Sequence, residues 1–479
     1  MLPLTPLYID GQWTRASTGS TFDVSNPASG QTVGHSASAS SADCRAAISS
    51  AARAFEAWER TSHAERRAVF LRAADLVEGE KYREKIRETM QAETAAVEYW
   101  CTYNWASAAN VLRTAAGFLN EMGGETLPSA VPGAKVETHR RAMGVILSIA
   151  PWNAPFTLSL RAIAIPIICG NTVVLKSSEY SPRSQAAVVE LFHEAGLPKG
   201  VLNYVSMARE DAPALTAELI AHPMVRKINF TGSDRVGRII AIEAAKYLKP
   251  CVLELGGKAP VVVLDDADVG EAAKAIVYGA MAHSGQICMS SERVIVQSGV
   301  APRLVPAVRE LCTKLGAGAE LSALFTPGSA ENVVGVVREA VDAGAELLLG
   351  DMTAEGAVVK PHLVKGVKPG MRIWDRESFG PVVGFAVVDT VEEAIGLANA
   401  SEYSLTASVW TSNVYLAQTV ASAIRAGFVN INGATVHSEP LAGLRGLGGA
   451  SGYGRFDVDS FTDVRVVVTH PAGRKYPLV

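Results

Sequence analysis

Apolar positions recur along the chain in two rhythms. Near the start, Cys44, Ile48, Ala51, Ala52, Phe55 and Trp58 follow steps of three and four, which places them on one face of a helix. Val69, Ala73, Leu76 and Val77 repeat that spacing. A longer charged helix is expected through Glu88, followed by the aromatic stretch EYWCTYNW ending near Trp105. From Gly144 the rhythm changes. The short apolar runs VILSIA, TVVLK, VLNYV, KINF and CVLEL read as strands, and TLSLRAIAIPII, SQAAVVELFHEA, APALTAELIA and VGRIIAIEAAKYL read as the helices between them. Strands joined through helices imply right-handed crossovers and a doubly wound parallel sheet. A second series follows: APVVVLDDADV, a helix from Glu271 to His283, RVIVQ, a helical run through Leu315, and the strands VVGFAVV, ASVWT and FVNIN. The pattern predicts two α/β domains in tandem.

Two segments fall outside this alternation. Gly123 to Arg141, rich in Pro, Gly, Thr and Val, reads as extended chain leaving the helical layer. The tail VRVVVTH reads as a strand without a neighbour in sequence; it pairs either with that excursion or with another subunit, because an open edge must be covered. No internal repeat or low-complexity segment is visible.

The 479 residues suggest two to four domains at roughly 100 to 200 residues each. Forty-four Lys and Arg against 48 Asp and Glu leave a net charge of −4, and a 19% charged share argues against disorder and against nucleic acid as a partner. The longest apolar stretches, Met143 to Trp152 and Ile163 to Val174, are too short or interrupted to span a bilayer, so no membrane association is expected. The start MLPLTPLYIDGQWTR carries no secretory pattern, which makes the cytoplasm the expected location. Cys44, Cys101, Cys169, Cys251, Cys288 and Cys312 are sparse and lack CxxC spacing, so neither a disulfide framework nor a metal site is expected.

A doubly wound sheet invites a nucleotide, yet no strand is followed by GxGxxG, and GxxxxGK[ST] is absent. The run GLRGLGGASGYG (Gly443 to Gly454) opens no helix and reads as a flexible turn. A better phosphate site is Gly232 and Ser233, after strand KINF and before a helix, where free backbone N–H groups face an anion; an ordinary Ser N-cap explains the same residues. Strand TVVLK ends in Lys176, followed by Glu179, at the edge of the sheet where ligands bind. A carboxylate there suits ribose hydroxyls and repels a 2′-phosphate, although surface charge is the plainer explanation. Cys288 in SGQICMSSERV and Glu254 in CVLELGGKAP are the catalytic candidates, with small-residue packing as the alternative for the cysteine. Asn153 in APWNAPF is either a loop cap or an oxyanion donor.

Taken together, PWNAPF, LKSSEYSP, NFTGSDRVG, LELGGKAP, GQICMSSERV, ESFGP and VNIN, in this order, make the chain resemble the aldehyde dehydrogenase superfamily along nearly its whole length. The resemblance implies a Rossmann-type cofactor domain (1–122 and 143–255), an α/β catalytic domain (256–447) and a small β oligomerisation flap (123–142 and 456–479), in a homodimer or homotetramer. It implies Cys288 as nucleophile, Glu254 as general base, and Asn153 with the Cys288 backbone N–H as oxyanion hole. Trp152, Lys176, Glu179, Gly232, Ser233, Glu377 and Phe379 match cofactor contacts, with NAD expected ahead of NADP. Aldehyde would become carboxylic acid through a cysteine thiohemiacetal and thioester. Members that pass the acyl group to coenzyme A generally lack the glutamate, which favours hydrolysis.

Within the superfamily, INFTGS, VVVLDDADV, GQICMSSERV and INGATVHSEP look most like the vanillin, benzaldehyde and salicylaldehyde dehydrogenases of bacterial aromatic catabolism. Arg161, two helical turns beyond Asn153, suits a phenolate or ring hydroxyl, or else serves as a structural ion-pair partner. Trp100, Tyr103 and Trp105 are candidate flat walls and His437 a polar end. The aldehyde substrate is therefore expected to be aromatic, with an aliphatic aldehyde or semialdehyde as the alternative. Two departures from the family pattern are a lengthened segment near Pro440 to Gly454 and a contracted one near Gly316 to Glu331. Two other classes compete: a cysteine hydrolase pairing Cys288 with His437, and a catalytically silent protein on the same scaffold.

Overall fold

Residues 2–315, 321–437, 446–476 and 478 are described by the computed structural model of the chain. The residues 316–320 and 438–445, which overlap the two segments that depart from the family pattern, lie outside that set.

The strands of the first βα series are buried on both faces, which explains why they read as unbroken apolar runs rather than alternating ones. They form the middle of an eight-stranded sheet. Its order from edge to edge is Gly452–Tyr453, Cys251–Glu254, Val225–Thr231, Val145–Ile149, Thr172–Lys176, Leu202–Val205, Leu7–Ile9 and Gln12–Thr14. The five central strands are mutually parallel. From Val145–Ile149 the chain steps outward through Thr172–Lys176 to Leu202–Val205, then returns to the other side with Val225–Thr231. This reversal opens a crevice beyond the carboxyl ends of the strands, where ligands of open α/β sheets bind. Trp152, Asn153, Glu179, Gly232 and Ser233 all follow those ends in sequence, and Lys176 and Glu254 terminate two of the strands.

The glycine-rich run before Tyr453 departs from the expected flexible turn. Gly452–Tyr453 adds an antiparallel edge strand against Leu253 and Glu254. Gly452 has a φ of 78°, and a Cβ there would stand 2.1 Å from the Leu253 carbonyl oxygen, so the approach requires glycine.

The second series forms a seven-stranded sheet: Glu346–Leu349, His362–Lys365, Val382–Val388, Ser291–Gln297, Ala259–Val263, Thr406–Trp410 and Phe428–Ile431. All pairings are parallel except the one made by Glu346–Leu349. The orphan tail finds its partner in the excursion. Thr462–Thr469 pairs antiparallel with Lys135–Ala142 over its whole length, and Thr126–Leu127 adds a third strand. This sheet presents Val464, Val466, Val467 and Val468 to the exterior.

The aromatic stretch lies inside a longer helix than expected, Glu98–Gly117. It packs against the helix Pro155–Ile168, which begins with a proline at its first turn and is apolar almost all round because it is enclosed between the sheet and its neighbours. Among the described residues no helix is long and apolar enough to cross a membrane.

Candidate active site

The segment leading to Cys288 is bent by three successive residues in the left-handed region, His283 (φ 47°), Ser284 (φ 55°) and Gly285 (φ 74°). Two of them are not glycine, and such conformations cost on the order of 1–3 kcal/mol each unless surrounding contacts impose them. Those contacts are present. His283 Nδ1 is hydrogen-bonded to Ser322 Oγ at 2.9 Å, and Ser284 Oγ donates to the Ser322 carbonyl at 2.6 Å. Gln286 Nε2 donates to the carbonyls of His283 and Ala323, both at 3.1 Å. The bend delivers Cys288, partly exposed, just before the strand Ser291–Gln297.

Asn153 meets this segment from the other sheet. Its Nδ2 donates to the Gln286 carbonyl at 2.9 Å, and its own carbonyl accepts from Trp100 Nε1 at 2.7 Å. An amide nitrogen has two hydrogens, so this leaves a second one for a ligand. Trp100 is in turn stacked between Tyr103 and His283, with centroid distances of 4.7 and 5.4 Å.

Glu254 ends its strand only 2% exposed. Arg161 reaches it from the helix Pro155–Ile168, with Nη2 2.9 Å from Oε1, while the guanidinium lies over the Phe456 ring at 4.6 Å. The contact is ionic but off the hydrogen-bond direction: both Glu254 oxygens and Arg161 Nε and Nη2 have no hydrogen-bond partner among the described residues. Burial raises the Glu254 carboxyl above its usual range, and Arg161 opposes that rise. Burial pushes the Cys288 thiol up to about 12, with the Glu254 carboxylate adding to the rise and Arg161 opposing it. His437 is held down to about 4 by burial and by Arg161.

Two cavities meet at this point, and Asn153, Leu158 and Cys288 line both. The smaller, about 130 Å³, is bounded by Trp100, Tyr103, Arg161, Glu254 and His437, together with Phe118, Thr157, Met289 and Phe456, which the sequence reading missed. Tyr103 Oη donates to the His437 carbonyl at 2.8 Å, and the His437 ring stacks on Phe428 at 3.9 Å, its two nitrogens without a hydrogen-bond partner among the described residues. His437 thus makes no hydrogen bond to Cys288, the pairing a cysteine hydrolase uses. Trp105 does not belong here. Its Nε1 donates to the Val77 carbonyl and Arg83 covers its ring, on the opposite side of its helix.

The larger cavity, about 420 Å³, brings together Trp152, Lys176, Glu179, Gly232, Ser233, Glu377 and Phe379. Ser233 caps the helix Asp234–Ala245, whose free N–H groups favour an anion. A Cβ on Gly232 would stand 2.4 Å from the Phe230 ring, so that turn stays bare. Lys176 Nζ is buried against the Ser177 carbonyl at 3.0 Å, with its pKa lowered by burial. Trp152 stacks on Phe325 at 4.5 Å and meets Phe379 edge-on at 6.0 Å. Glu377 Oε1 accepts from the Gly257 N–H at 2.9 Å, and burial pushes its carboxyl up to about 8. Beneath it, the buried pair Lys258–Glu292 accepts the Ser378 N–H on Glu292 Oε2 at 3.0 Å, fixing the loop between Glu377 and Phe379. An anion-binding helix start, a carboxylate at a strand end, stacked aromatic walls and a second carboxylate nearer Cys288 fit a dinucleotide. Tyr180 and Phe325, also missed, extend the aromatic wall. Among the described residues no group of three or more His, Cys, Asp or Glu is placed to hold a metal ion.

Residues 13–467 match the aldehyde dehydrogenase family. A vanillin dehydrogenase from a Pseudomonas species is 41% identical over 482 residues, covering 99% of each chain. The crystal structure of a salicylaldehyde dehydrogenase from Pseudomonas putida G7 complexed with salicylaldehyde superposes with a TM-score of 0.96 at 39% identity, covering 99% of this chain and 100% of that one. A NAD-dependent aldehyde dehydrogenase structure from Sinorhizobium meliloti gives a TM-score of 0.93 at 33% identity, covering 100% and 96%.

Proposed function

The chain belongs to the aldehyde dehydrogenase family, and from that premise we propose that it oxidises an aromatic aldehyde to the carboxylic acid with NAD as the preferred cofactor. The observation that carries this reading is the junction itself: Cys288 and Asn153 stand where a small aromatic-walled cavity opens into a larger one suited to a dinucleotide.

In this reading Cys288 Sγ bonds to the aldehyde carbon. A thiol held this high supplies little free thiolate at neutral pH, so its proton leaves to water in the open site as attack proceeds, and the Glu254 carboxylate stays free for the later step. The free hydrogen of Asn153 Nδ2 and the Cys288 backbone N–H receive the developing oxyanion, and loss of one such donor costs about 3–4 kcal/mol of barrier reduction. When bound, the nicotinamide supplies the acceptor for the aldehyde hydride. What remains on Cys288 is a thioester. Glu254 takes a proton from water, the hydroxide adds to the thioester carbon, and the carboxylic acid departs as the C–S bond breaks. Lys176 and Glu179 would hold the adenosine ribose, Ser233 the pyrophosphate, and Glu377 with Phe379 the nicotinamide ribose. Glu179 would repel a 2′-phosphate, which favours NAD.

Trp100, Tyr103 and Phe456 give the small cavity flat walls, while Arg161 and His437 line it with polar atoms that have no hydrogen-bond partner among the described residues. Walls of this kind suit a benzaldehyde carrying a hydroxyl or methoxyl group. Assembly as a homodimer or homotetramer, through the exposed sheet built on Thr462–Thr469, belongs to the same proposal. Initial rates of NADH formation with benzaldehyde, vanillin, salicylaldehyde and hexanal test the substrate class. The aromatic aldehydes should show the higher kcat/KM, and hexanal outpacing all three would contradict it.

A further inference from the structure

The Arg161–Glu254 contact has an unusual form for a buried ion pair. Oppositely charged groups buried this deeply are ordinarily joined by aligned hydrogen bonds that satisfy their lone pairs and protons. Here the charges approach to 2.9 Å, yet among the described residues both carboxylate oxygens and two of the guanidinium nitrogens have no hydrogen-bond partner. The guanidinium is also held from a second side by the Phe456 ring, and it projects from a well-buried helix. Among the described residues Glu254 has no second anchor for its carboxylate. Of the two partners, the carboxylate is the one free to turn.

We propose that Arg161 is the positioning residue of the general base: its ionic contact holds the Glu254 carboxylate beside the small cavity, loosely enough for that carboxylate to turn towards a water on the Cys288 thioester. The inference rests on Glu254 acting as the base in the reaction above. The titratable groups that share the cavity with Glu254 are Arg161 on the helix Pro155–Ile168, Tyr103 on the helix Glu98–Gly117, Cys288 before its strand, and His437 beside Phe428. Among these described residues only Arg161 supplies a positive charge at neutral pH, because His437 is kept neutral. Burial disfavours the ionised form of Glu254, and a protonated carboxyl cannot take a proton from water. A strong bidentate bridge would also disable it, by locking the oxygens. An ionic contact without aligned hydrogen bonds counters the first effect and avoids the second.

The sign of the expected effect follows. Arg161 opposes the rise in the Glu254 pKa, so removing its charge moves the acid limb of deacylation to higher pH. The experiment uses the full-length enzyme with NAD and unsubstituted benzaldehyde, which offers Arg161 no ring substituent to read. The variants are Arg161→Met, Arg161→Gln and Arg161→Lys. For each, the kcat–pH profile is measured together with the fraction of enzyme carrying a benzoyl adduct, by intact mass after acid quench at steady state. Both neutral variants should show the acid limb displaced upward, with kcat lower by on the order of tenfold on the wild-type limb, and more benzoyl-enzyme there. Arg161→Lys should restore both towards wild type. Neutral variants with an unmoved limb and no added benzoyl-enzyme would overturn the proposal. Should neither neutral variant fold, a limb displaced upward in Arg161→Lys, which keeps the charge, would overturn it as well. Wild-type enzyme that forms no NADH from any aldehyde would instead overturn the functional reading on which the proposal rests.

Discussion

The two cavities that meet at Cys288 are built in different ways. The larger takes its polar residues from positions that follow the carboxyl ends of neighbouring parallel strands, so the backbone dictates where Lys176, Glu179, Gly232 and Ser233 stand. The smaller is assembled from side chains on two packed helices, the bent segment before Cys288, and residues far along the chain such as His437 and Phe456. A site set by strand order tolerates change in any one side chain. A site set by side-chain packing does not, and the proposed function assigns substrate choice to it.

Asn153 sits on the boundary, so altering it should have the largest effect of the two substitutions that separate the cavities. Asn153→Ala is expected to lower kcat by about 10²- to 10³-fold, with NAD affinity measured by tryptophan fluorescence quenching little changed. A comparable loss of NAD affinity would erase the distinction between the cavities. Glu179→Ala acts only on the larger one and should be milder. It should reduce the preference of kcat/KM for NAD over NADP by roughly tenfold or less, a loss of about 1.4 kcal/mol at most, and leave the ranking of aldehydes unchanged. A wild-type preference for NADP would refute the role given to Glu179.

The same contrast explains what could be read from the chain before its structure. Strand-end residues were legible because the alternation of apolar runs and helical periods locates strand ends, and ligands gather there. The pairing of the tail with the Gly123 to Arg141 excursion was legible as one of two options, because an unpaired strand needs a partner and only the fold shows which. Helix geometry decides the fate of the aromatics. On the helix Glu98–Gly117, Trp100 and Tyr103 are three residues apart and share a face, whereas Trp105 is turned towards Val77. A stretch of aromatics ending near Trp105 does not by itself show this, because the helix that sorts them runs on to Gly117. The edge strand Gly452–Tyr453 was illegible because a glycine run carries neither rhythm, and its pairing depends on Leu253 and Glu254 lying alongside. Arg161 was placed near the substrate by its distance from Asn153. Its contact with Glu254 arises only when a distant strand is laid beside its helix.

The central claim is that Cys288 carries the acyl group and Glu254 releases it. Glu254→Gln enzyme mixed with benzaldehyde and NAD, quenched in acid and digested, should yield a benzoyl thioester on the peptide containing Cys288, together with about one NADH per site in a burst followed by little turnover. Full turnover by Glu254→Gln without a trapped adduct, or an adduct on any other cysteine, would contradict the account.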